Sequence, residues 1–196
     1  SELFVDNITG KTGTSGGAPI TLSGDTATLG SGVTFPAGHT IRQSFYSIGE
    51  GTLSNNAFPS DDTTPQRSEG TEVWSQAYTP TAAATDLYIR ANVKIGETSS
   101  LSNAMAVGLF LSSQDDVLVV AQGNEESDAG GGAYIVNYLH AFIDYKMSSW
   151  GATERTFSLR SSGAQAYNYH EDYSAYSRGD RYNGKITSSV IITEVA

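Results

Sequence analysis

Apolar and polar residues alternate with a period of two along most of the chain after His39, and that period predicts strands. The cleanest case is Asp86 to Ile95. Leu87, Ile89, Ala91, Val93 and Ile95 share one side and Arg90, Asn92 and Lys94 the other, as in a strand with one buried face. His39 to Ile48 alternates through Ile41, Gln43, Phe45 and Ser47, and Glu72 to Tyr78 reads as a strand with Val73 or Trp74 inward. Tyr134 to Met147 has the length of a helix, but its β-branched and aromatic residues favour period two. Ile135, Asn137, Leu139, Ala141, Ile143 and Tyr145 then oppose Tyr134, Val136, Tyr138, His140, Phe142 and Asp144. Ala104 to Ser112 and Asp116 to Gln122 are continuously apolar and joined at Ser113-Gln114-Asp115 as a hairpin. Thr156 to Arg160 and Ser188 to Val195 complete the set.

Eight or nine strands separated by turn signals, with no βαβ pattern, exclude a parallel α/β sheet. The fold class expected for residues 39–196 is all-β, an antiparallel β-sandwich of jelly-roll type. The closing strand is expected to be central or well paired. Residues 49–70, polar and broken by Pro59 and Pro65, read as a long exposed loop, and 123–132 as an acidic, glycine-rich one.

Residues 1–38 differ. Glycines separate short apolar pieces carrying Leu3, Phe4, Ile8, Ile20, Leu22, Leu29, Val33 and Phe35, each too small to fold alone. The segment is either a loose tail or an extended N-terminal arm that becomes ordered on a neighbour. The alternation from Pro19 to Leu29 favours the arm, with assembly or attachment as its role.

Composition narrows the function. The net charge of −10 disfavours nucleic-acid binding through a basic face. With no cysteine, neither disulfides nor Cys-based metal sites are available. No apolar run reaches membrane-spanning length, so no membrane insertion is expected. Ser1-Glu2-Leu3-Phe4 lacks a basic region followed by an apolar one. The expectation is a chain made in the cytoplasm and exported, if at all, by another route such as assembly into a particle.

The run Leu29-Gly30-Ser31-Gly32-Val33-Thr34-Phe35-Pro36-Ala37-Gly38-His39, with Asp6-Asn7-Ile8-Thr9 and Ile20 to Thr28 before it, resembles bacteriophage virion proteins of the tail-fibre and capsid-decoration type. Thr156 to Arg160 and Ser188 to Val195 are similar to the closing strands of phage β-sandwich tips. The likeness covers both ends of the chain, and the middle agrees in strand pattern. It implies a virion structural role as a homotrimer, alongside other tail or capsid proteins. It carries no catalytic residue over.

Candidate chemistry is sparse. Asp61-Asp62 and Asp115-Asp116 lack the spaced pattern of a calcium loop and read as turn acids. Glu125, Glu126 and Asp128 read as a solvated acidic loop. His39, His140 and His170 show no metal-ligand spacing. Arg178-Gly179-Asp180 reads as a tight turn, and no nucleophile elbow occurs. No catalytic residue, metal or cofactor is therefore expected.

The tyrosine-rich stretch is the main surface candidate. Tyr167, Tyr169, His170, Tyr173, Tyr176 and Tyr182 could contact a host-surface glycan or protein, since tyrosine offers a flat apolar face and a hydroxyl. The same residues suit a loop packed over its own sandwich or against a trimer neighbour, and that reading weighs more. The leading expectation is a small trimeric tail-fibre or adhesin component. A capsid decoration (cement) protein comes second, and a glycan-active enzyme third.

Overall fold

The computed structural model describes residues 36–49, 58–59, 61–81, 85–97, 105–123, 137–162 and 187–196, and the backbone of 7–8, 20–23, 26–29, 51–52 and 168–169. The chain divides into two compact units, Ser1–His39 and Thr40–Ala196. In the first, β1 (Asn7–Ile8), β2 (Ile20–Ser23) and β3 (Thr26–Leu29) form an antiparallel meander. Ile20 stands opposite Ile8 on one side and Leu29 on the other.

The second unit is built on eight longer strands: β4 (Thr40–Ile48), β6 (Thr71–Tyr78), β7 (Thr85–Glu97), β8 (Met105–Leu111), β9 (Val119–Gly123), β10 (Asn137–Trp150), β11 (Arg155–Ser162) and β13 (Ser188–Val195). Two short strands, β5 (Gly51–Thr52) and β12 (Asn168–Tyr169), extend the first sheet beyond the reach of β13 along β7. Among the eight, the first pairs the last, the second the seventh, the third the sixth and the fourth the fifth. Cross-pairs β13–β7 and β11–β8 complete the antiparallel sheets β4-β13-β7-β10 and β6-β11-β8-β9. This folded-over ribbon is the jelly roll. β13 is central, flanked by β4 and β7, as expected of the closing strand.

Period two explains the core. Leu87, Ile89, Ala91, Val93 and Ile95 of β7 all point inward and are buried. They meet Leu139, Ala141 and Ile143 of β10, and Val190 and Ile192 of β13, in one cluster with Val73, Leu109, Phe157 and Leu159 of the other sheet. In β4 the inward set is Tyr46 and Ile48, which leaves Phe45 on the outside.

β8 breaks the alternation because both its faces are covered. Met105, Val107, Leu109 and Leu111 enter the main core, whereas Ala106 and Phe110 form a second cluster with Phe58 and Val117. The described part of the 49–70 segment is therefore docked rather than freely exposed. Phe58 is buried, its N–H donating to Ser162 Oγ at 2.6 Å. Arg160 donates to the carbonyls of Glu69 and Gly70, and Arg67 to that of Ser112. This docking also explains why β9 starts at Val119 rather than at Asp116. Asp116 is bridged to Gln66, and Val117 N–H donates to Pro65 O at 3.0 Å. Gly70 makes the turn at φ +65°, where a Cβ would lie 2.6 Å from Phe58 Cε1 and 2.9 Å from Ser161 O. Gly70→Ala is expected to lower stability by roughly 3 kcal/mol, combining left-handed strain with overpacking, read as a lower urea midpoint.

A polar clasp closes the end of the sandwich where the chain leaves β6 for β7. Glu194 on β13 is 0% exposed. Its carboxylate accepts from Thr81 N–H at 2.8 and 3.1 Å and from Thr85 Oγ at 3.3 Å, and lies 3.5 Å from Arg42 Nη2. Arg42 also donates to Tyr78 Oη and Thr79 O and sits over the Tyr78 ring, 4.5 Å from its centre. Burial pushes the Tyr78 phenol above its usual range, with the Arg42 hydrogen bond pulling the other way.

Candidate contact surface

The outward face of the sheet β4-β13-β7-β10 is assembled by register. One cross-strand row runs Phe45, Ile191, Arg90, Asp144. The next runs Ser47, Ser189, Asn92, Phe142, and on the other side lies Gln43, Thr193, Tyr88, Lys146. Neighbours in such rows touch directly. Arg90 Nε is 3.4 Å from Asp144 Oδ2, Gln43 Nε2 donates to Thr193 Oγ1 at 3.2 Å, and Lys146 Nζ meets Asp86 Oδ2 at 2.8 Å. The Asp86 and Tyr88 oxygens hold the Lys146 ammonium above its usual pKa. His140 hydrogen-bonds Asn92 and packs on Phe142 with ring centres 4.3 Å apart.

Two large apolar side chains stand out of this face: Phe45 is 64% exposed and Phe142 66%. Beside Phe142 is an open depression of about 320 Å3, lined by Arg90, Asn92, Phe142, Asp144, Ser189 and Ile191 above a floor of Ala91 and Ile143. An exposed ion pair beside aromatic and aliphatic side chains offers contact chemistry: an apolar knob, an apolar hollow and polar groups around them.

No protein-family model and no curated protein matches the chain. Among solved structures it is similar to the infectious bursal disease virus T13 viral particle, at 12% identity and a TM-score of 0.38 over 91% of this chain and 40% of that one. It is also similar to the VP2 subviral particle of the same virus, at 10% identity and 0.24 over 90% and 41%. A third similar structure is the native virion of Kashmir bee virus, at 10% identity and 0.23 over 96% and 93%. The chain thus spans about two fifths of the length of the bursal disease virus chains.

Tyr169 lies in β12, with its backbone opposite Ile95 and Gly51. Tyr167, His170, Tyr173, Tyr176 and Tyr182 lie outside the described residues, as do Leu3, Phe4, Val33, Phe35, Arg178-Gly179-Asp180 and the Glu125, Glu126, Asp128 loop. Ile8, Ile20, Leu22 and Leu29 are backbone members of the N-terminal meander. Asp61 caps its own turn, accepting from Thr63 N–H and Oγ1, and those bonds hold its carboxyl below the usual range. Asp115 pairs with Arg67, and Asp116 accepts from Gln66. Among the described residues no group of three His, Asp or Glu converges as a metal site would require.

The Phe45–Phe142 face as a whole is not legible in the sequence. Its parts were legible, because alternation put Arg90 and Asn92 opposite the apolar side of one strand and grouped His140, Phe142 and Asp144 on one side of another. What was missing is the pairing that sets β10 beside β7 and β13 beside β4.

Proposed function

We propose that this chain is a structural component of a virion. The observation that carries the reading is the pairing of first strand with last through to fourth with fifth, an architecture that capsid domains share with lectins and cupins. Because such a fold serves several functions, it needs the second support that the resemblance of residues 29–39, 156–160 and 188–195 to phage virion proteins gives. In its finer form, the chain is a small homotrimeric tail-fibre or adhesin component. Residues 1–38 attach it to the particle, and the β-sandwich of residues 39–196 meets a host glycan or protein. A second reading, capsid decoration, is favoured by the exposed Phe45–Phe142 face, which suits lateral contact on a shell.

The test is immunogold electron microscopy of purified particles with antibody to this chain. Label on the tail is expected. Label at three-fold positions of the shell would replace the tail reading with decoration, and particles without the chain would overturn both. Light scattering should give a trimer mass, and turnover in a glycan-cleavage assay would overturn the non-enzymatic reading.

A further inference from the structure

We propose that the outward face of the sheet β4-β13-β7-β10 is a contact surface between two copies of this chain, packed face to face about a two-fold axis lying in the plane of contact. The first argument is charge. The whole chain carries −10, so two copies repel each other over most of their surface. The described outward positions of this face hold three cations, Arg90, Lys94 and Lys146, against two carboxylates, Asp86 and Asp144. It is a face on which a second acidic copy is not turned away.

The second argument is shape. A two-fold contact must be self-complementary, with knob and hole on the same patch. Phe142 stands beside a hollow of about 320 Å3, so a two-fold operation lets each copy's Phe142 enter the other's hollow. The same operation brings Arg90 of one copy toward Asp144 of the other, two residues already adjacent within each copy.

Area sets the strength. The axis that exchanges Arg90 and Asp144 runs between β7 and β10, so these two strands overlap, and five outward positions along each give a footprint of roughly 300 Å2 per copy. Two such footprints bury roughly 600 Å2, below a standard specific interface. The free contact is therefore weak, with a Kd of about 100 μM, and gains effect where many copies are held close together. The inference rests on the assembly reading above for its purpose. Its test reads association in solution while that reading is tested on particles, so either can fail alone.

The experiment is sedimentation velocity of the full chain up to about 500 μM, above that Kd. Wild type should show concentration-dependent association, beyond any trimer, that Phe142→Arg weakens at least about tenfold. Arg90→Asp and Asp144→Arg separately should each lose the association, because each makes the exchanged pair like-charged. An equimolar mixture of those two variants should recover it, since the carboxylate introduced at position 90 of one copy then faces the guanidinium introduced at position 144 of the other. A mere folding defect in each variant would not be repaired by mixing. Wild type showing no concentration-dependent association, or a mixture that fails to recover it, overturns the proposal and leaves the face to a glycan or another virion protein.

Discussion

Glu194→Ala is expected to lower the unfolding free energy by about 3 kcal/mol, because removing one partner of a buried ionic network strands the others. Glu194 is fully buried and gathers Thr81 N–H, Thr85 Oγ and Arg42. Without the carboxylate, the Thr81 amide loses its acceptor. Arg42, which is partly exposed, keeps its bonds to Tyr78 and Thr79 and recovers some hydration, so the loss stays below that of a fully enclosed pair. Glu194→Gln retains one acceptor oxygen and should cost about half as much. Urea unfolding followed by tryptophan fluorescence measures both, with Trp74 as a reporter packed against the core. Equal, negligible effects of the two variants would show that the clasp adds nothing to stability.

Phe110→Ala should cost about 4 kcal/mol, within the range for deleting a fully buried aromatic ring. Its second effect separates it from an ordinary core truncation. Phe110 lies on the side of β8 away from the main core, and its ring meets Phe58 with centres 6.0 Å apart. The ring thus holds the described part of 58–70 against the second sheet. In native-state hydrogen exchange, the amides of Arg67 and Val117, which donate to Asp115 O and Pro65 O, should lose protection in Phe110→Ala. The inward amides of β7 should fall only with global stability. Unchanged protection at Arg67 and Val117 would mean that the polar bonds alone dock the segment.

The same segment marks a boundary of what the sequence could reveal. Residues 49–70 are polar and carry two prolines, so composition reads as an exposed loop. One phenylalanine, Phe58, reverses that over the described part, because β8 offers it a second apolar face at Ala106 and Phe110. The continuous apolar run from Met105 to Leu111 was visible, but a run buried on both faces does not say what covers the outer one. The clasp was hidden for a related reason. Glu194 lies next to last in an alternating strand, where a carboxylate reads as solvent-facing. Its inward position follows from the same period of two that buries Val190 and Ile192.

By itself the sequence determined the fold class, the strands and the inward face of the best of them, because each depends on local alternation between neighbouring residues. Leu87 to Ile95 needed no partner to be recognised as a core face. The tertiary structure alone decided which strands lie side by side. That choice put Phe45 beside Ile191, Arg90 beside Asp144 and Phe142 beside Asn92. A contact surface built across four strands drawn from residues 40–48, 85–97, 137–150 and 188–195 has no local signature. It exists only once the ribbon has folded over and registered first strand against last.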